Sequence, residues 1–175
     1  GAAVRIPRQG KLFTIRNANF IANTAASDSG RVLGGALSVS GTVDGLITNP
    51  VFIGNGARGR SADSAFGGAV YTEKPLTFSI DGKQNAVFSG NKANGRLNDI
   101  HNLGALNVSG NLTLDGGISG NGTTTFARGS QLTVKTGTTT ISNRVINNGA
   151  TLNLTFDNGF SGRYELITDG GSLGR

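Results

Sequence analysis

Phe20-Ile-Ala-Asn23-Thr-Ala25, Phe52-Ile-Gly-Asn55-Gly-Ala57 and Phe88-Ser-Gly-Asn91-Lys-Ala93 are three copies of one turn unit, and their reading decides the fold. Each copy is answered downstream by a second unit: Gly34-Gly35-Ala36-Leu37, Gly67-Gly68-Ala69-Val70 and a degenerate Leu103-Gly104-Ala105-Leu106. The phenylalanines lie 32 and 36 positions apart, and Gly35, Gly68 and Gly104 lie 33 and 36 apart. A period that tolerates insertions of a few residues marks stacked repeats, because extra residues bulge from loops without disturbing the stacked core.

Further along, Leu112/Leu114, Leu132/Val134 and Leu152/Leu154 recur at a spacing of 20, preceded by the small residues Gly110, Ser130 and Ala150. This implies coils of about 20 residues, so the longer unit reads as two shorter coils. No window sustains apolar spacing at i, i+3, i+4 and i+7, and glycine or Thr/Asn clusters interrupt the chain every 8 to 12 residues. An antiparallel sandwich has similar spacing. Identical residue types at identical coil positions instead favour coil upon coil.

The expectation is therefore an all-β chain forming one right-handed parallel β-helix (β-solenoid), the hand taken from the rule for parallel crossovers. Residues 1–16 are read as a basic arm and first strand, 17–109 as the paired repeats, 110–157 as the 20-residue coils and 158–175 as a terminal strand or cap. Roughly nine or ten coils at the strand spacing of about 4.8 Å would span about 45 Å. Phe20, Phe52 and Phe88 should stack inward. Asn23, Asn55 and Asn91 should line up at corners, adopting left-handed backbone and bonding coil to coil through their amides. The pairs Gly34-Gly35 and Gly67-Gly68, with Gly104, suit corners that leave no room for a Cβ.

Composition narrows the function. Glycine is high at 29 of 175 residues and proline low at 3, without a Gly-X-Y period, so collagen is excluded. Cys, Met and Trp are absent, which excludes disulfides and thiolate metal sites. No stretch is apolar enough for a spanning helix, and Gly1-Ala-Ala-Val-Arg-Ile does not read as a signal peptide, so a soluble fragment or processed product is expected. Of the net charge of +6, Arg5, Arg8, Lys11 and Arg16 supply four in a stretch without acids. A concentrated basic face with base-stacking aromatics is not visible, and nucleic acid is not an expected partner.

The pairing of Phe-x-x-Asn with Gly-Gly-Ala-(Leu/Val), supported by Asn98-Asp-Ile100 and Ile118-Ser-Gly-Asn-Gly122, resembles the repeats of the polymorphic outer-membrane proteins and related type V autotransporter passengers of Gram-negative bacteria. The resemblance covers about residues 17 to 125 well and the rest loosely. It implies a surface-exposed or secreted passenger acting as an adhesin or structural stalk. Its partners would be a host-cell surface protein or glycan, or other copies of itself. Membrane attachment would come only through a barrel outside this chain. Tyr164-Glu-Leu-Ile167 before Gly170-Gly171 looks like a late passenger strand.

Chemistry is sparse. Gly54-x-Gly56-x-x-Gly59 has the spacing of a dinucleotide fingerprint, but no helix pattern follows it. His101 is the only histidine and cannot build a zinc site alone; it reads as a loop residue, with Ser89 or Ser109 as arbitrary partners. No cofactor or metal is expected. Asp63 and Asp99 each stand five residues before an answering glycine, with Arg60 and Arg96 three residues earlier; Asp28 and Arg31 repeat the pair in reverse. The bland reading is a solvated loop edge. The sharper one is a partner-binding ridge of alternating charge comprising Asp28, Arg31, Arg58, Arg60, Asp63, Lys92, Arg96 and Asp99. A carbohydrate-active β-helix enzyme, a polysaccharide lyase or hydrolase, is the alternative, since glycoside cleavage needs two carboxyl groups within about 5 to 10 Å.

Overall fold

The computed structural model describes residues 2–6, 12–41, 44–135, 137–156, 161 and 163–167. Its described residues are all-β, with one three-residue 3-10 turn at Ala62–Ser64 and no α-helix. Three long sheets carry the structure, and every strand pair in them is parallel.

The first sheet orders Val4–Ile6, Leu37–Val39, Val70–Thr72, Ile100–Asn102 and Ile118–Ser119. Single bridges continue the line from Ile118 to Ile141 and on to Ile167. The second sheet orders Phe13–Arg16, Gly45–Thr48, Leu76–Ser79, Ala105–Ser109, Thr123–Phe126 and Arg144–Asn147. The third orders Asn19–Ile21, Val51–Ile53, Asn85–Ser89, Asn111–Leu114, Gln131–Lys135 and Thr151–Thr155.

Alternation explains why these segments are strands. In Leu76–Ser79, Leu76 and Phe78 are fully buried while Thr77 and Ser79 are not, as a period-2 pleat requires. Register then sets like upon like. Phe20, Phe52 and Phe88 are direct partners, their rings 4.7 Å apart in both stacks, and Leu114, Val134 and Leu154 continue the column. The spacing of 20 between Leu112/Leu114, Leu132/Val134 and Leu152/Leu154 is thus the pairing register of the third sheet.

Four expectations are corrected. The 32 to 36 residue unit is one pass, not two shorter coils: between Phe20 and its partner Phe52 the chain visits a side sheet, the first sheet and the second before returning. Among the described residues the longest stack, the first sheet continued by its two bridges, has seven levels, so the stacking direction covers about 29 Å rather than about 45 Å. Arg5 lies within a strand paired to Leu37–Val39 rather than in an arm, while Arg8, Lys11 and Gly170-Gly171 lie outside the described residues.

The third answering unit is also misplaced. Val70 pairs with Ile100, so Asn98-Asp99-Ile100 occupies the place of Gly68-Ala69-Val70. Leu76 pairs with Leu106, and Gly104 instead packs on the backbone of Lys74.

Candidate functional site

The side sheet gives the long passes their extra length. Thr24–Ser27, Gly56–Gly59 and Lys92–Ala93 pair in parallel, and Arg96–Leu97 folds back antiparallel on the last of them. Its inward side is small: Ala25, Ala57 and Ala65 pack with Val32, and Ala93 lies against them. This allows a close approach to the first-sheet corner. A Cβ on Gly35 would sit 2.1 Å from the Gly68 carbonyl oxygen, and one on Gly68 would sit 2.3 Å from the Lys92 nitrogen. The second glycine of each pair is therefore required by packing of backbone on backbone.

The corner between the third sheet and the side sheet is held by amides. Asn55 Oδ1 accepts from Asn23 N at 3.0 Å and Asn23 Nδ2 at 2.9 Å, while Asn91 Oδ1 accepts in the same way from Asn55 N and Nδ2. Asn55 Nδ2 also donates to the Phe20 carbonyl, and Asn91 Nδ2 to that of Phe52. The expected ladder is present, but its asparagines are not in left-handed backbone. The preceding residues Ala22, Gly54 and Gly90 carry φ of 54°, 65° and 65°. The turn is made one residue earlier, which leaves the asparagine amide free to bridge passes.

Asp99 closes this ladder and leaves the proposed ridge. It is fully buried, where a solvated edge was expected. Its Oδ1 accepts from Asn91 Nδ2 at 2.9 Å, and its Oδ2 accepts from the amides of Gly116 and Gly117 at 2.7 and 3.1 Å. Burial pushes its carboxyl up to about 6, against the downward pull of those three bonds. A carboxylate committed to three donors in the interior is not available as one of a catalytic pair with the exposed Asp63.

The other ridge residues, Asp28, Arg31, Arg58, Arg60, Asp63, Lys92 and Arg96, are exposed. Arg58 and Lys92 stand on adjacent strands of the side sheet. Asn94 and Gly95, at φ of 45° and 79°, form the tight hairpin turn between Lys92–Ala93 and Arg96–Leu97. Asn94 also ties down the loop carrying Arg60: its Oδ1 accepts from Gly59 N at 2.7 Å, and its Nδ2 donates to the Ser61 and Ala62 carbonyls. Arg31 lies over the Phe66 ring at 4.6 Å. Among the described residues, no carboxylate lies within 4.0 Å of the charged nitrogens of Arg31, Arg58, Arg60 or Lys92. Asp28 and Asp63 remain exposed beside these cations without pairing to them, so of the ridge residues only Asp99 is removed from the surface.

His101 lies in a strand of the first sheet, not in a loop. Ser38, Tyr71, His101 and Ser119 occupy one register column. The His101 ring stacks on Tyr71 at 5.6 Å, and its Nδ1 is 2.9 Å from Ser119 Oγ, which also accepts from Asn98 Nδ2. Burial lowers the His101 pKa to about 4, with the charge of Arg31 adding to the effect, so the ring is neutral near pH 7. Glu73 accepts from Tyr71 rather than from His101. Burial, reinforced by Glu73, raises the Tyr71 hydroxyl far above its usual range. The Ser119–His101 contact therefore lacks the carboxylate that would orient a base for nucleophilic attack. Sequence reasoning missed this column because its members become aligned only when spacings of 33, 30 and 18 are known.

Among the described residues, no group of three His, Cys, Asp or Glu side chains is placed to hold a metal ion, and no helix is long and apolar enough to cross a membrane. Comparison with protein-family models, curated proteins and solved structures finds no match for the chain.

Proposed function

We propose that this chain is a right-handed parallel β-helix serving as the passenger of an autotransporter-type surface protein, and that it binds partners through the loops and side sheet of its long passes. The observation that carries the reading is the parallel register of Phe20, Phe52 and Phe88 together with the hydrogen-bonded ladder of Asn23, Asn55 and Asn91. These are the residues of the repeat whose resemblance is to passenger domains. Support for the right hand comes from the strong preference of parallel crossovers. A stalk or adhesin also suits a chain whose polar chemistry is spent on holding corners while its cations face solvent.

The test is surface display. The chain is placed between a signal peptide and an outer-membrane barrel in a Gram-negative host, and protease accessibility and adherence to animal cells are measured. Exposure on intact bacteria with adherence above that of a barrel-only control is expected. A chain retained in the periplasm, or one displayed without any gain in adherence, would overturn the proposal.

A further inference from the structure

Four shallow hollows run across the side face, and each shares an arginine with the next. Arg5 and Arg31 line the first, Arg31 and Arg60 the second, Arg60 and Arg58 the third, and Arg58 and Lys92 the fourth. No Asp or Glu lines any of them. The five cations come from three passes, Arg5 and Arg31 from the first, Arg58 and Arg60 from the second and Lys92 from the third, so the series advances along the stacking direction with one sideways step between Arg60 and Arg58. Asp99 is buried in the asparagine ladder, and the exposed Asp28 and Asp63 lie outside the lining of the hollows.

We propose that this track binds an extended polyanionic glycan, one bearing sulfate or carboxylate groups along a linear chain. The inference rests on the surface-binding reading above and names its ligand class. A compact anion would meet only the two cations of one hollow, whereas a linear polyanion meets all five in series and releases counterions as it does so. The hollows present peptide groups and hydroxyls between the cations: Ser29, Ser61 and Ser64 beside Arg31 and Arg60, and Thr24 beside Arg58. These are partners for sugar hydroxyls and sulfate oxygens. No aromatic ring lines any hollow, and the nearby Phe66 is covered by Arg31. A single-stranded nucleic acid would want exposed rings on which its bases stack.

The experiment measures binding of the purified chain to immobilised heparin, to its desulfated and N-acetylated counterpart, to single-stranded DNA and to vesicles rich in anionic lipid. Heparin is expected to bind best. Raising salt from about 0.05 to about 0.5 M should weaken binding by more than about tenfold. Arg58→Ser with Arg60→Ser should also lose about tenfold or more while keeping the parent circular dichroism spectrum. Lys83→Ser, an exposed cation at a distant turn, should change nothing. Absence of heparin binding, a double variant that binds as well as the parent, or tighter binding to DNA or vesicles would each overturn the proposal. Adherence of displayed chain without heparin binding would remove this ligand and leave the passenger reading standing; loss of adherence itself removes both.

Discussion

The chain takes 32 residues to travel from Phe20 to its partner Phe52, but only 20 from Leu114 to its partner Val134. Both lengths serve the same three sheets. The difference is the side sheet, inserted where the third sheet hands the chain back to the first. In the long passes the corner is fastened by buried amides bridging pass to pass. In the short passes a single hydroxyl suffices there, Thr139 Oγ donating to the Leu114 and Asp115 carbonyls, and at the corner between the second and third sheets Ser130 Oγ accepts from Gly110 N at 3.1 Å. Asp99 sits at the junction, taking the last asparagine amide on one oxygen and the first short-pass corner on the other. A core built for small turns can therefore carry a functional lobe if the lobe's root is tied with groups that bond in both directions along the stack.

Substitutions should separate the two regions. The largest effect is expected at the lobe's root, where Gly35→Ala puts a methyl against the Gly68 carbonyl at 2.1 Å and should cost more than about 4 kcal/mol or prevent folding. Gly129, in a short pass, has nothing within 4 Å, so Gly129→Ala should cost only the left-handed strain of its φ of 78°, about 1 to 2 kcal/mol. Denaturant titration of both variants measures the contrast.

Next in size is the ladder. Asn55→Ala leaves Asn23 N, the Phe20 carbonyl and Asn91 Oδ1 without that partner in the interior, a loss of about 3 kcal/mol or more. Ser130→Ala removes two longer bonds, at 3.1 and 3.3 Å, and should cost about 1 kcal/mol. Equal losses in thermal unfolding would erase the distinction between the two kinds of corner.

Asp99→Asn presents an amide that cannot accept on both sides, and should cost about 1 to 3 kcal/mol near neutrality. Its pH dependence is more telling. The raised carboxyl binds a proton more tightly in the folded chain, so its contribution is present below about 4 and is lost as pH rises through about 6. His101 works in the opposite sense: its depressed pKa gives a contribution present above 6.5 and lost as pH falls through about 4. The parent should therefore show a shallow profile between pH 4 and 6. Asp99→Asn should leave stability rising with pH there, and His101→Gln should leave it falling, with the smallest change at pH 7. Unfolding midpoints across that window check both signs.

The fold was largely legible because identity recurs where register requires it. Phe20, Phe52 and Phe88 stack ring on ring in the parallel register of the third sheet. The site was less legible. In the third pass the side loop closes on itself as the Asn94-Gly95 hairpin, so Ile100 comes 30 residues after its partner Val70 rather than 36. Matching by glycine then slid the unit six residues downstream, to Leu103-Gly104, and assigned Asp99 to the surface. The Asn-Gly dipeptide was the available cue. His101 carried no such cue, since its neighbours Tyr71 and Ser119 are chemically unlike and lie in different passes.

The asparagine ladder, ending on Asp99, secures the long-pass lobe independently of the short passes. Native-state amide exchange on Asn91→Ala tests it most directly. Asn91 Oδ1 accepts from Asn55 N, so that amide and those of Ala57 to Gly59 should exchange at least about tenfold faster than in the parent, while Leu132 to Val134 keep their protection. Uniform acceleration across both regions, or unchanged protection at Asn55 and Ala57, would contradict it.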